Sequence, residues 1–138
     1  MAGEISPLMA SLYVAGGGAA GSVLRYHAGR FVSGLAGAGN TFPWGTLAVN
    51  IAGSLAMGAL IGWFARGTLS EHAAESARLL LGVGLLGGFT TFSAFSGELV
   101  TMIHRGQMGL AAGYIAASLI AGMAAVIVGL VAVQGGPQ

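Results

Sequence analysis

Cysteine, lysine and aspartate are absent from this chain of 138 residues. Without cysteine there is no disulfide, no thiolate metal site and no thiol nucleophile, and the redox compartment leaves no mark on the sequence. Charge of either sign is scarce. Five arginines and four glutamates make up 7% of the chain, where a soluble domain carries about 25%. A water-soluble fold of this size cannot clothe its surface with so few charges, so soluble globule and disordered chain are both excluded. The outer surface must face lipid. A net charge of +1 also leaves no basic stripe to displace counterions from phosphates, which argues against nucleic acid as a partner. What is present is apolar: 55% hydrophobic residues and a mean hydropathy of +0.83. Glycine, at 26 residues, far exceeds its usual share of about 7%. In lipid that points to close helix contacts rather than loose linkers.

The few charges mark the segments between them. Residues 5–24 are uncharged, followed by Arg25 and Arg30; residues 31–65 are uncharged, followed by Arg66, Glu71, Glu75 and Arg78. Residues 79–97 are free of charge, then come Glu98 and Arg105, and the remainder is free again. A spanning helix needs about 20 apolar residues, so each gap holds one. The expected fold is an all-α integral membrane domain with four spans, at residues 7–30, 43–65, 78–104 and 107–133. Pro7 and Pro43 suit helix starts, where a missing backbone N–H does no harm. Residues 33–40 read as a glycine-rich turn and residues 66–76 as the most polar loop. Trp44 and Trp63 bracket the second span as an aromatic belt would. A signal peptide is not expected, since the first residues carry Glu4 and no positive stretch, and no soluble domain is expected beside the spans.

Arg66 and Arg78 fall on the side of both termini, against Arg30 and Arg105, with Arg25 deeper, on the other. The positive-inside rule has almost nothing to act on. This balance predicts insertion in both orientations and pairing as an antiparallel homodimer; a topology fixed by some other signal is the alternative. Small residues recur at four-residue spacing in every span, as Gly17 and Gly21, Gly58 and Gly62, Gly84 and Gly88, and Gly109 and Gly113. Without Cβ bulk, backbones approach closely, so these pairs predict tight bundle packing.

The third span holds the most unusual passage, Gly87-Gly88-Phe89-Thr90-Thr91-Phe92-Ser93-Ala94-Phe95-Ser96. Two glycines followed by hydroxyl residues that bond their own backbone would readily break a helix. A break at that depth is tolerated only inside protein or beside water, and its freed carbonyls suit a hard monovalent cation. A symmetric dimer would bring two copies together at its axis. An unbroken helix with glycines for packing is the other reading. Phe89, Phe92 and Phe95 recur every three residues and so share a face, as core, as lipid-facing rings, or as electropositive ring edges turned to an anion.

On the second span Asn50 places an amide in an apolar run, with Thr46 one turn earlier on the same face. A polar group in lipid must point inward, either to bond another helix or to line a path. Tyr114 and Ser118, one turn apart on the fourth span, add hydroxyls. These groups offer donors and ring edges but no buried formal charge. A proton-coupled exporter usually carries a carboxylate inside a helix, whereas Glu98 lies near one end of the third span and the first has none. No catalytic motif is present, and His27, His72 and His104 are scattered near span ends or in the polar loop. A passive conduit, not an enzyme, is the simplest reading.

Residues 17–26 (Gly-Gly-Ala-Ala-Gly-Ser-Val-Leu-Arg-Tyr), residues 45–50 (Gly-Thr-Leu-Ala-Val-Asn) with Gly53-Ser54, and residues 87–93 (Gly-Gly-Phe-Thr-Thr-Phe-Ser) strongly resemble the Fluc (CrcB) fluoride channels. The resemblance covers all four spans in order. It implies a dual-topology dimer in the prokaryotic inner membrane, with two antiparallel pores exporting fluoride passively and protecting the cell from its toxicity. It implies a structural sodium ion at the dimer centre, held by backbone carbonyls that match Gly87 and Thr90. The family's pore phenylalanines match Phe92 and Phe95, its pore asparagine Asn50, and its second-helix threonine Thr46. Its fourth-helix tyrosine and serine match Tyr114 and Ser118, on a helix without a sharp motif. Arg25 and Glu98 match charged positions at the pore vestibules. One departure is visible: Ala94 stands where the family usually has threonine between the two rings, which removes a hydroxyl.

Fluoride is small and strongly hydrated, so a pore must replace much of its water shell. Hydroxyl and amide donors with ring edges can do so, whereas a lysine or arginine at the narrowest point would hold the ion too tightly. Two other classes are carried alongside. A small dual-topology drug exporter lacks its expected first-helix glutamate here, and a non-conducting assembly subunit explains the glycines but not the polar and aromatic lining.

Overall fold

The computed structural model describes residues 5–135, so Glu4 lies outside the described residues. Every element among them is helical. α1 spans Pro7–Ala36, α2 Trp44–Ala65, α3 Glu71–Ala77, α4 Gly87–Phe89, α5 Phe92–His104 and α6 Met108–Gln134, with a π-helical stretch, Arg78–Leu86, joining α3 to α4. Four segments are long and apolar enough to cross a membrane: α1, α2, the composite Glu71–His104, and α6.

The ends of these segments differ from the sequence expectation in instructive ways. α1 opens as expected, with Pro7 in its first turn and the Ser6 hydroxyl accepting from the Met9 amide. It does not stop at Arg30. Residues 31–36 continue the helix because no residue there forbids it, and the turn waits for Gly37, whose φ of 87° needs a residue without Cβ. Pro43 caps α2 from outside and Trp44 is the first helical residue, the Pro43 carbonyl accepting from the Leu47 amide. The polar loop shrinks to residues 66–70, because Ser70 caps the Ala73 amide and starts α3 among good helix formers. Gly106, at φ 72°, makes the tight turn between α5 and α6.

Helix pairing follows the small residues. α2 lies along α6, and α1 lies along the π-helical stretch and α4. A Cβ added at Gly58 or Gly62 would run into the carbonyl oxygens of Val126 or Leu130 on α6, and one added at Gly129 into Leu55. Gly17 and Gly21 bring α1 against the backbone of Leu80 and Leu85, while Gly84 and Gly88 meet the backbone of Gly17 and Gly18. Three of the four glycine pairs therefore sit at helix contacts. Gly109 and Gly113 do not: among the described residues nothing lies within 4 Å of a Cβ at either. The buried apolar cluster is small, Leu47, Met102, Ala111 and Tyr114, with Phe42 and Phe95 packed on it. Most other large apolar side chains, among them Leu12, Ile120, Met123 and Val131, are exposed, as a lipid-facing surface requires.

The third span is broken, but not at its glycines. Gly87 and Gly88 remain helical, and the chain turns extended at Thr90 (φ −84°, ψ 159°) and Thr91 (φ −149°, ψ 125°). Extended backbone suits β-branched residues, and two hydroxyls stabilise the ends it creates. Thr90 Oγ1 donates to the Leu86 carbonyl at 2.9 Å, closing the helix before the break. Thr91 Oγ1 accepts from the Ala94 amide at 3.2 Å, capping α5 after it.

Candidate functional site

The break leaves backbone groups without helical partners, and Asn50 takes two of them. Its Oδ1 accepts from the Thr91 amide at 2.8 Å and its Nδ2 donates to the Thr91 carbonyl at 3.0 Å. The Thr91 amide is thereby turned away from the Gly87 carbonyl, its helical acceptor four residues back. The Thr90 carbonyl faces α1, where Arg25 Nη1 donates to it at 3.3 Å. Asn50 is thus an interhelical bond, and the second N–H of its amide remains for another acceptor.

Asn50, Thr90, Thr91, Phe92, Phe95 and Ser118 line one crevice of about 360 Å³, with Gly53, Ser54 and Met57 behind them. The Phe92 and Phe95 rings lie 5.9 Å apart, and Phe95 tilts against Tyr114 at 4.9 Å. Phe92 is 79% exposed within the chain, so its ring is not held by packing inside it. Phe89 does not join them. The break intervenes, and its ring instead lies beside Gly53 on α2. Among the described residues no ionisable side chain lines this crevice.

A second cluster lies one turn along α2. Thr46 Oγ1 donates to Glu98 Oε1 at 2.6 Å, and the Tyr114 hydroxyl donates to Glu98 Oε2 at 2.8 Å. Tyr114 is fully buried and half-sandwiched by Phe42 and Phe95. Glu98 therefore stands inside the polar cluster as an acceptor for two hydroxyls. A third crevice, of about 510 Å³, is lined by Arg25, Gly29, Gly45, Thr46, Val49, Thr91, Ser93 and Ala94, so Arg25 borders an open space as well as the break.

The site residues expected from sequence thus form two groups, Asn50 with Phe92, Phe95 and Ser118, and Thr46 with Tyr114 and Glu98. The structure adds Thr91 and Ser93 to the crevice walls. Thr91 is the partner that orients Asn50, and only the hydroxyl-rich character of the passage hinted at it.

For a cation, the residues offer hard oxygen donors only. The Gly87 carbonyl has lost the Thr91 amide, and the Thr90 carbonyl retains a lone pair beside its long Arg25 contact. Carbonyl oxygens of this kind suit a monovalent cation, but two of them do not complete a shell. Among the described residues no group of three His, Cys, Asp or Glu side chains could hold a metal.

Comparison of the sequence with known proteins points to one family. Residues 12–130 match the family described as CrcB-like protein, Camphor Resistance (CrcB). The chain is 52% identical over 128 residues to a protein of Novosphingobium aromaticivorans named Fluoride-specific ion channel FluC, covering 93% of this chain and 98% of that one. Proteins of the same name from Erythrobacter litoralis and Agrobacterium fabrum are 49% and 52% identical, covering 91% and 85% of this chain and 93% and 90% of theirs. With four apolar spans, a helix break held by Asn50 and a match over nearly its whole length, the chain belongs to the CrcB family.

Proposed function

We propose that this multi-pass membrane protein is a fluoride-specific ion channel of the bacterial inner membrane that lets fluoride leave the cell passively. The observation that carries the reading is the crevice of uncharged donors and phenyl rings, Asn50, Ser118, Phe92 and Phe95, in a chain about half identical to proteins named as fluoride channels. Thr91 uses one N–H of Asn50 and fixes the amide plane, leaving the other to replace a water of the ion's shell. Ser118 adds a hydroxyl, and the ring edges of Phe92 and Phe95 complete a weak positive lining. With no full charge in the crevice, the ion binds loosely enough to leave. Hydrofluoric acid crosses lipid as a neutral molecule and ionises at neutral internal pH, so a negative-inside potential drives the anion out.

The working unit we infer is an antiparallel homodimer with two pores. Its support is the near-even placement of arginines on the two sides and the open Gly109 and Gly113 face. In that dimer the Gly87 and Thr90 carbonyls of both copies would hold a sodium ion, which when bound neutralises the carbonyl dipoles at the break. Thr46, Tyr114 and Glu98 continue the polar path from the crevice, and Arg25 stands at its vestibule.

Purified protein in fluoride-loaded liposomes, with a potassium ionophore to clamp the potential, tests the function. A fluoride electrode should record rapid release while chloride-loaded vesicles stay closed. No flux, or exchange of an organic cation, refutes it. Labelling that finds a single orientation in native membranes would refute the dual-topology dimer separately.

A further inference from the structure

A fourth crevice opens beside the site just described. It is lined by Thr41 and Pro43 ahead of α2, by Ala94, Gly97, Glu98, Thr101 and Met102 of α5, and by Arg105 at that helix's end, and it encloses about 550 Å³. Ala94, Glu98, Thr101 and Arg105 recur at spacings of three and four and so form one stripe along α5. Glu98 and Arg105 are seven residues apart, about 10 Å of helix rise. Among the described residues they are the two ionisable groups lining the crevice. Glu98, at the inner end, has both carboxylate oxygens occupied by the hydroxyls of Thr46 and Tyr114. Hydroxyl donors spread that charge but do not cancel it. Arg105, at the outer end, is exposed. Among the described residues no hydrogen bond or ion pair engages its guanidinium, so its charge is uncommitted.

Resting on the fluoride-channel reading, we propose that Arg105 sets the sign of the field in this crevice and collects fluoride at the mouth of a path leading inward to Thr46 and Glu98. Without Arg105 the lining would keep a carboxylate alone, and an approaching anion would meet net repulsion. With it, the guanidinium offsets Glu98 and attracts the anion from solution. At about 6 Å in water, one unit charge changes the local concentration of a monovalent anion about threefold, and low-dielectric walls strengthen this. The charge lies at the exposed end of the crevice, away from Asn50 and the rings, so it concentrates fluoride without trapping it.

The absence of cysteine from the chain allows a test in which charge is changed after folding. Arg105→Cys is reconstituted in fluoride-loaded liposomes and labelled with a methanethiosulfonate carrying either trimethylammonium or sulfonate, with labelling confirmed by mass. At sub-saturating fluoride and about 0.01 M salt, where the Debye length is about 30 Å, the cysteine variant should conduct about threefold more slowly than the parent. The cationic label should restore the rate and the anionic label lower it further, with the maximal flux at saturating fluoride unchanged. At about 1 M salt, where charge is screened within about 3 Å, the variants should converge. Equal flux from parent, cysteine variant and both labelled forms at low salt overturns the role of Arg105 and leaves the channel function standing. Absence of fluoride flux from the parent protein overturns the function and this role with it.

Discussion

Substituting Asn50 by aspartate separates the electrostatic account of the crevice from one based on shape. The side chain keeps its size, and one oxygen can still accept from the Thr91 amide. Two things change. The second carboxylate oxygen now faces the Thr91 carbonyl across a contact that was a 3.0 Å hydrogen bond, which costs about 1–3 kcal/mol for the unsatisfied group. More importantly, a formal negative charge enters a space that had none. A sphere of 360 Å³ has a radius of about 4.4 Å, so an ion at its centre stands about 5 Å from a carboxylate in the wall; at an effective dielectric near 20 two like charges there repel by about 3 kcal/mol. At about 1.4 kcal/mol per factor of ten, fluoride occupancy and flux should fall more than about a hundredfold. The assay is the liposome efflux measurement, with helicity and elution volume checked to show that the variant is folded. A folded Asn50→Asp protein that releases fluoride at the parent rate removes Asn50 from the ion's path and refutes the reasoning.

Phe92→Ile should slow fluoride release while changing stability by less than about 0.5 kcal/mol, because the ring is mostly exposed within the chain. Efflux and thermal unfolding in detergent, measured on one preparation, check both halves, and an unaltered rate leaves the ring without a transport role. Gly58→Ala should lower the unfolding midpoint, since its Cβ meets the Val126 carbonyl and overpacking costs about 1–3 kcal/mol. Gly109→Ala, whose Cβ meets nothing among the described residues, should leave the fold of one chain intact but loosen the proposed homodimer, read as a shift toward monomer in detergent.

Composition and charge spacing were enough to read four spans, because in lipid every charge is expensive and its position is diagnostic. Helix ends were less legible. Arg30 suggests a stop by its charge although arginine continues a helix well, and Ser70 is submerged in a polar stretch although a single hydroxyl is enough to start a helix. The break was legible as a region but not as a residue. Glycine permits a helix to end without requiring it, whereas Thr90 and Thr91 are held extended by partners on α1 and α2 that are far away in sequence. The same non-local bonding explains why Thr46, Asn50 and Tyr114 could be named as inward-facing donors while their acceptors could not. Phe89 shows the limit of periodicity: a repeat of three residues predicts a shared face only while the helix is continuous.

The helix carrying Phe92 and Phe95 differs from its neighbours in how it is kept in place. α1, α2, the π-helical stretch and α6 interlock through glycine seams, backbone upon backbone, whereas α5 leans on α6 and touches α2 lightly. What moors it are side chains: Met102, with Phe95 and Leu99, in the small buried cluster, the Asn50 clasp at one tip, and the Thr46 and Tyr114 hydroxyls on Glu98 a little further along. A dry surrounding makes such moorings firm, since no solvent competes for them. Flooding by detergent or water would slacken this half-helix before the seams part, so the ion-handling piece is also the piece most dependent on an intact bilayer.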